Sequence, residues 1–351
     1  MRAEPAAVQR PRVGGVAEVG PGVHWIRMPL PYALDHVNLW LLEDGDGFTL
    51  VDTGHGDAAT REGWESLVAA ALGGRRVRRV LATHHHPDHL GLAGWMAERW
   101  GAEFLCTRAE WAEASALTLR TLGEAEGLAK EFYQRAGVPA TVLRPLLDCS
   151  RSYPDNVTPL PGFREIADGD ELTVGGRSWR VVVGRGHSPE HACLHAPDAR
   201  LFISGDQVLP HITPNVSVWP RNPDDDPLAG FLASAEALRS LPGDTTVLPA
   251  HGTPFLGLQQ RCRELSEHHG MRLGAALGAL DRTRTAFEVM ALLFDRSLDA
   301  HQTTFALGEA IAHLNRLVSL GRVERERRQR GPDRYARVAA GARQRGEDPP
   351  R

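Results

Sequence analysis

The first part of the chain contains short runs of apolar residues that are separated by turn-forming residues. Residues 23–28, 37–43 and 48–52 are rich in β-favouring side chains, and the polar stretch EDGDG (43–47) separates the last two runs. Runs of this length, bounded by Gly and Asp, are typical of strands joined by tight turns. This part of the sequence therefore predicts a meander of β-strands.

Helical spacing then begins to alternate with strand-like runs. Residues 57–72 predict a helix with Asp57 as its N-cap, and the glycine pair that follows is a stop signal. Residues 78–83 form an apolar strand-like run, and residues 91–100 again show helical spacing. This alternation of strand and helix predicts a layered α/β domain.

A change of pattern marks the middle of the chain. Residues 108–148 are rich in Ala, Leu and Glu, and a proline-rich connector occupies 153–163, so we expect a helical insertion at about 108–160. Strand-like runs return within 165–205 and again at 245–250. These runs imply a second sheet.

The last part of the chain is predicted to be a separate small unit. A long helical pattern covers 257–280, two further helices are expected at 285–294 and 303–321, and a β-hairpin at 323–338. The order helix, helix, hairpin suits a winged-helix-like unit.

The predicted organisation has four parts. Residues 1–18 are expected to be a loose tail, 19–265 the α/β domain, 266–340 the winged-helix-like domain, and 341–351 a disordered tail.

Composition and charge narrow the class of protein. The 351 residues are 42% hydrophobic and 24% charged, with a net charge of −4, which offers no general attraction for nucleic acid or an anionic membrane. The four cysteines are widely spaced, and no stretch reaches the roughly 18 apolar residues of a membrane span. We expect a cytoplasmic enzyme with a small-molecule substrate, no membrane partner and no nucleic-acid partner; a homodimer is compatible with the sequence.

The sequence THHHPDH (83–89) is the first sign of chemistry. It contains His84, His86, Asp88 and His89, and imidazole and carboxylate groups suit zinc, iron or manganese. A histidine-rich loop can also be an ordinary solvated turn, so this stretch alone does not decide between the two.

Similar residues recur at other predicted strand ends. His187 follows the strand-like run WRVVVG, Asp206 follows LFISG, and His251 follows VLPA, each beside a glycine that allows a sharp turn. Two metal ions would need more ligands than one loop holds, and these three residues could supply them.

Taken in order, VDTG (51–54), THHHPDH, GHSPEH, SGD and PAHG resemble the motifs of the metallo-β-lactamase superfamily, in particular its glyoxalase II-like branch. The likeness covers roughly residues 20–260. It implies a four-layered αββα sandwich, here with the helical insertion and the winged-helix-like appendage.

The resemblance also implies a ligand set and a mechanism. His84, His86 and His187 would bind one divalent metal ion, Asp88, His89 and His251 the second, and Asp206 would bridge both. Zinc is the expected metal, with iron or manganese as alternatives. A hydroxide between the two ions would attack the substrate, and Asp88 would orient it as the catalytic carboxylate.

Other residues are candidates for supporting roles. By the same resemblance, Asp52 and His191 would hold ligands through hydrogen bonds. In the irregular run after Asp206, we expect His211 and Asn215 to contact a developing oxyanion or leaving group, and Arg221 a substrate carboxylate.

The leading hypothesis is a metal-dependent hydrolase that cleaves a small ester-like bond, with a thioester preferred. A lactonase or other carboxylic esterase, a ribonuclease or phosphodiesterase, and a non-catalytic binding or regulatory module are the alternatives.

Overall fold

The computed structural model describes residues 4–6, 8–32, 34–149 and 153–339. Its strands are β1 (Glu4–Pro5), β2 (Val16–Gly20), β3 (Val23–Pro29), β4 (His36–Asp44), β5 (Gly47–Val51), β6 (Val77–Leu81), β7 (Glu103–Cys106), β8 (Arg164–Glu165), β9 (Glu171–Val174), β10 (Arg177–Gly184), β11 (His191–Ala196), β12 (Leu201–Gly205), β13 (Thr246–Pro249), β14 (Phe255–Leu256), β15 (Val323–Glu326) and β16 (Arg334–Arg337). The helices are α1 (Ala58–Ala71), α2 (Pro87–Leu90), α3 (Ala93–Trp100), α4 (Arg108–Leu119), α5 (Leu122–Ala136), α6 (Ala140–Cys149), α7 (Pro227–Leu238), α8 (Leu258–Gly278), α9 (Ala286–Leu293) and α10 (Ala300–Ser319).

Two seven-stranded sheets contain all the described strands except the hairpin β15–β16. The first sheet runs in the order β2 to β8, antiparallel up to β5 and parallel beyond it. The second runs β1, β14, β13, β12, β11, β10, β9, and only its β12–β13 pair is parallel. The meander and the second sheet predicted from the sequence are confirmed.

The two sheets pack face to face through one apolar cluster. Trp25 and Trp40 of the first sheet lie in the same buried cluster as Trp179 and Ile203 of the second. Alternate residues of the first sheet face the other way and pack against α1 and α3, where Trp64 is completely buried. This alternation follows from the two-residue period of a strand, and it explains why nearly every position of β4, β5, β11 and β12 is buried.

The chain folds as two compact units. The first unit holds the described residues of 1–122, 151–214 and 230–266, and both sheets lie within it. The second holds those of 123–150, 215–229 and 267–351. The order helix, helix, hairpin predicted for the end of the chain is confirmed by α9, α10 and β15–β16, whereas the winged-helix assignment stays a prediction.

The predicted helical insertion of about 108–160 is helical but does not form one body. Its first helix, α4, belongs to the first unit, whereas α6 and all of α5 after its first residue belong to the second. The reason is burial: Phe132 of α5 and Leu146 of α6 lie in one apolar cluster with Leu307 and Leu314 of α10. Long-range packing of this kind is not visible in a local pattern.

The prediction that residues 1–18 form a loose tail is wrong for those of them that the structure describes. β1 pairs with β14, and β2 pairs with β3. Between them Pro11 is buried, and its carbonyl oxygen accepts a hydrogen bond of 3.2 Å from the guanidinium of Arg27. A buried arginine thus holds this segment. The tail predicted at 341–351 lies outside the described residues.

Candidate metal centre

The candidate site lies where strand ends meet. In the first sheet, Asp52 follows β5 and His84 follows β6, two parallel strands whose carboxyl ends share an edge. In the second sheet, β10, β12 and β13 run in the same direction, and His187, Asp206 and His251 follow their ends. Parallel strands therefore bring residues from distant parts of the sequence to one place.

Three overlapping groups of side chains could each hold a metal ion. Within each group the candidate ligand atoms lie within 4.8 Å of one another. The groups are His84, His86 and His187; His84, His89 and Asp206; and Asp88, His89 and His251. We call the first the His triad and the third the Asp triad. All the residues proposed from the sequence as metal ligands are thus brought together.

The nitrogen atoms of the His triad are close to one another. His84 Nε2 lies 2.9 Å from His86 Nδ1 and 3.2 Å from His187 Nε2. Burial and the neighbouring histidines lower the pKa values of His84 and His86 well below the ordinary histidine value, so both rings are neutral bases. Neutral imidazole is the form that binds a metal ion.

Asp206 lies between the two triads. Its Oδ2 is 3.5 Å from His187 Nε2 and 3.7 Å from His89 Nε2, and its Oδ1 is 3.4 Å from His251 Nε2. On the far side, Asp88 Oδ2 is 3.5 Å from both His89 Nε2 and His251 Nε2. The arrangement puts one carboxylate next to the histidines of both groups.

The outer hydrogen bonds turn one ring nitrogen of several histidines toward the cluster. Asp52 accepts a hydrogen bond of 2.8 Å from His89 Nδ1, so His89 Nε2 faces inward. His251 Nδ1 donates to the carbonyl oxygen of His36 at 3.0 Å. Thr83 donates its hydroxyl proton to Asp52 and accepts from His84 Nδ1 at 3.0 Å.

Two buried atoms test whether the site fits a cation. His89 Nε2 and Asp206 Oδ1 are buried and make no hydrogen bond among the described residues. Buried polar atoms are normally satisfied, and here both face the cluster of neutral nitrogens and carboxylates. Burial opposes the charged form of His89, yet the charges of Asp88, Asp52 and Asp206 raise its pKa well above the ordinary value. The donor set fits divalent cations of the zinc type.

Asp52 holds the ligand loop and has an unusual backbone. Besides His89, it accepts the backbone N–H of Thr83 at 2.7 Å, and its φ is +63°, a left-handed value that costs a residue other than glycine free energy. His191 lies on the other side, where its Nε2 accepts the backbone N–H of Asp206 at 3.1 Å. Burial and the nearby His187 lower the pKa of His191 to about 3.

The structure says less about the three residues that the sequence proposed as substrate contacts. His211 is exposed and follows Pro210, which lies so close to Gly252 that a β-carbon there would come within 2.7 Å of it. This places His211 near the loop of His251. Asn215 and Arg221 belong to the second unit, and their roles in substrate binding stay predictions.

Glu110 of α4 is a residue of this region that the sequence interpretation missed. It is completely buried, and it accepts hydrogen bonds from His85, Ser188 and Glu190. Its only sequence signal was a charged residue between apolar positions of a predicted helix. His85, which points away from the ligands, is thus held by Glu110.

A second missed feature is a chain of three polar side chains. The hydroxyl of Tyr32 lies 3.1 Å from His55 Nε2, and His55 Nδ1 lies 2.9 Å from Asp57 Oδ2. His55 is buried, while Tyr32 is 42% exposed. Burial, followed by the charges of Asp88 and Asp57, raises the pKa of Tyr32, so the phenol keeps its proton at neutral pH.

Comparisons with known proteins agree with this site. The family model of the metallo-beta-lactamase superfamily matches residues 32–251, and that of the metallo-beta-lactamase-like C-terminal domain matches 273–338. A crystal structure of a beta-lactamase domain protein from Burkholderia ambifaria is 41% identical, with a TM-score of 0.87, and the match covers 96% of this chain and 98% of that one. A metallo-beta-lactamase family protein from Thermus thermophilus is 33% identical, with a TM-score of 0.78 and coverage of 92% and 100%.

Curated relatives are more distant. The probable metallo-hydrolase YqjP of Bacillus subtilis is 24% identical over 83% of this chain and 90% of its own length. An atrochrysone carboxyl ACP thioesterase of Aspergillus fumigatus is 27% identical over 66% of this chain, which spans 55% of that protein. The predicted α/β fold class is confirmed by the superfamily match and the solved structures. The chain that carries these histidine and aspartate groups at its strand ends is a hydrolase of the metallo-beta-lactamase superfamily.

Proposed function

We propose that this hydrolase cleaves a small thioester with two divalent metal ions, most simply zinc, held by the His triad and the Asp triad. The observation that carries the proposal is the position of Asp206, whose two oxygens face histidines of both triads at 3.4 to 3.7 Å. A carboxylate placed in this way is suited to bridge two cations. In this proposal Asp206 is shared, and the other six side chains divide equally between the ions.

The chemistry divides between the ions and the chain. Divalent cations polarise a carbonyl group and lower the pKa of water toward neutrality. The chain contributes the ionised Asp88: although burial opposes it, the charges of His89 and His251 hold its pKa well below the usual value. Asp88 can therefore accept a hydrogen bond from the attacking water and orient it. Asp52 and His191 keep the ligands in place.

The preference for a thioester rests on two supports. One curated relative is named as an ACP thioesterase. In addition, the glyoxalase II-like arrangement of motifs in the sequence includes both carboxylates, Asp88 and Asp206. A thiolate is a good leaving group, so the site needs no dedicated side-chain acid to expel it.

Hydrolysis assays with the metal-loaded protein test this proposal. A panel of acyl thioesters and lactones is compared with the same panel for His84→Ala, which removes a His-triad residue, and for His24→Ala, a histidine of β3 outside both triads. We expect thioester turnover that His84→Ala abolishes and His24→Ala retains. Lactone turnover without thioester turnover would instead favour the lactonase alternative, and cleavage of a labelled RNA would favour the ribonuclease.

The end of the chain is proposed to be a winged-helix-like domain. Its support is the order α9, α10, β15–β16 and the match of residues 273–338 to the C-terminal domain model. The capping box at Thr285 and Glu288 begins α9, and α10 contributes more buried residues to the apolar cluster of the second unit than any other element does.

A further inference from the structure

The carboxylate of Glu110 receives four hydrogen bonds in the interior of the first unit. Its Oε2 accepts the backbone N–H of His85 at 3.0 Å and the Nδ1 of the same residue at 2.6 Å. Its Oε1 accepts the hydroxyl of Ser188 at 2.6 Å and the backbone N–H of Glu190 at 2.7 Å. The side chain is completely buried, so no water competes for these bonds.

The two oxygens hold two different segments of the chain. His85 stands between His84 and His86, and Ser188 directly follows His187. One carboxylate therefore connects the loop that carries two residues of the His triad to the loop that carries the third. These loops lie far apart in the sequence. Glu110 ties the residue between His84 and His86 to the segment that directly follows His187, next to the backbone hydrogen bond of 2.8 Å from Ala192 to the carbonyl oxygen of Thr83.

We propose that Glu110 is a positioning residue for the His triad: it sets the distance between the loop of His84 and His86 and the loop of His187, and thereby the affinity of that triad for its metal ion. This inference rests on the proposed function, because it requires that the triads bind metal. Glu110 touches neither substrate nor reacting atoms.

The supports of the Asp triad are different. His89 is held by Asp52, and His251 by the backbone carbonyl of His36. The four hydrogen bonds of Glu110 go to His85, Ser188 and Glu190, which adjoin residues of the His triad. Asp88 and His89 lie further along, in α2, and His251 follows a different strand. Loss of the Glu110 carboxylate should therefore weaken one half of the centre and spare the other, which a general loss of packing would not do.

Glutamine is a sharp substitution at this position. All four partners of Glu110 are donors, or can act as donors, and an amide replaces one of the two accepting oxygens with an NH₂ group. Whichever way the amide turns, a backbone N–H, that of His85 or that of Glu190, loses its acceptor and faces another donor. The size and shape of the side chain stay the same, so the cavity does not change.

Two single substitutions allow the metal affinity of each triad to be measured separately. His251→Ala disrupts the Asp triad and leaves the His triad, whereas His187→Ala does the reverse. The Zn²⁺ dissociation constant of each full-length protein is measured by competition with a chromophoric chelator, with and without Glu110→Gln. Glu113→Gln, on the same helix, is the matched control.

We expect Glu110→Gln to raise the dissociation constant roughly 10- to 100-fold in the His251→Ala background, the size found for residues that orient ligands, and less than about threefold in the His187→Ala background. Glu113→Gln should change neither. Equal weakening in both backgrounds, or none in either, would overturn the proposal. If Glu110→Gln does not fold, Ser188→Ala removes one of the four donors, and a smaller rise confined to the His251→Ala background supports the same role; no rise there rejects it.

Failure of this inference differs from failure of the proposed function. A protein that binds zinc at both triads but hydrolyses no thioester keeps the role of Glu110 and loses the substrate assignment. A protein that hydrolyses thioesters but shows no selective effect of Glu110→Gln keeps the function and loses this inference. If the wild-type protein binds no zinc, both are wrong.

Discussion

At the scale of single residues, hydrogen bonds decide what each histidine can do. His84, His89 and His251 each make an outer hydrogen bond through Nδ1, to Thr83, Asp52 and the carbonyl oxygen of His36 respectively. These bonds make the outer nitrogen the donor and turn Nε2 toward the cluster, where a metal ion would replace any proton that Nε2 carries. The residues that do this are neutral or acidic partners without metal-binding roles of their own.

The chain formed by Tyr32, His55 and Asp57 leads to a prediction about catalysis. Tyr32 is protonated at neutral pH and close enough to Asp88 for that charge to raise its pKa, after the larger effect of burial. Its phenol proton points to His55 Nε2 here, and the hydroxyl can rotate to donate that proton to a substrate beside the Asp triad. We expect Tyr32→Phe to lower kcat/KM for the thioester about tenfold, the worth of one hydrogen bond of about 1.4 kcal/mol.

Steady-state kinetics of the metal-loaded protein measure this effect. Leu34→Ala, a change at an exposed position two residues further along the chain, is the control and should keep the wild-type value. A Tyr32→Phe protein within twofold of wild type would show that the phenol does not contact substrate.

At the scale of elements, helix ends carry clear signals. α10 begins at a capping box. The carboxylate of Asp299 accepts the backbone N–H of Gln302 at 2.7 Å, and the side-chain oxygen of Gln302 accepts the backbone N–H of Asp299. The sequence pattern had placed the start of this helix at 303, where the apolar spacing begins. The cap extends the helix beyond its buried face, because side-chain acceptors satisfy N–H groups that packing does not.

Removal of this cap should destabilise the second unit. Asp299→Ala leaves the N–H of Gln302 without its side-chain acceptor, and we expect the free energy of unfolding to fall by about 1 kcal/mol. Chemical denaturation followed by circular dichroism measures the change. Asp295→Ala, an exposed acid in the same connection, is the control; an equal loss in both proteins would mean that charge, and not the cap, is responsible.

At the scale of the whole molecule, the two units have different cores. We expect the stability of the first to depend on bound metal and that of the second on pH. The first unit contains the candidate metal centre, and the second is built on an apolar cluster that includes α10. Among the described residues, no helix is long and apolar enough to cross a membrane. A cytoplasmic location and a homodimer stay predictions.

Metal removal should lower the stability of the first unit. A ligand that binds only the folded state stabilises it, by about 4 kcal/mol at a concentration roughly a thousandfold above its dissociation constant. We expect a chelator to lower the urea midpoint of the wild-type protein. The double variant His84→Ala/His251→Ala, which lacks one ligand of each triad, should respond far less, and an unchanged wild-type midpoint would speak against a metal centre.

A buried histidine pair should make the second unit sensitive to acid. His269 Nδ1 lies 3.3 Å from His313 Nε2, and His313 Nδ1 donates to the carbonyl oxygen of Glu309. Burial, followed by neighbouring positive charges, lowers the pKa of His269 to about 3; burial lowers that of His313 to about 4. Both lie below the ordinary value of about 6.5 for an unfolded chain.

The direction in which stability changes with pH follows from the number of protons that each state binds. Between about pH 6.5 and pH 4 the unfolded chain binds more protons than the folded one, so stability falls as the pH falls, by about 1.4 kcal/mol per pH unit for each additional proton. We expect thermal melts of the metal-free protein to show a shallower decline from about pH 7 to pH 5 for His269→Leu/His313→Leu than for wild type. His301→Gln, at an exposed position, is the control; parallel curves for all three proteins would contradict the prediction.

The sequence alone determined most of the strands, most helices and the candidate ligands. Periodicity and turn residues are local, so runs such as 23–28 and the N-cap Asp57 could be placed from their neighbours. The histidine and aspartate residues stood out because their types suit divalent metals and their positions follow apolar runs. Their motif order was specific enough to indicate the superfamily.

Only the tertiary structure decided how these parts combine. It placed Glu110 within hydrogen-bond distance of both loops of the His triad, and it placed Asp206 between the triads. It also divided the helices of 108–149 between two units. Each of these depends on contacts between residues far apart in the sequence, and burial of an isolated side chain such as Glu110 has no local signature. The chemistry of the ligands is local, whereas their distances and supports are set by long-range packing.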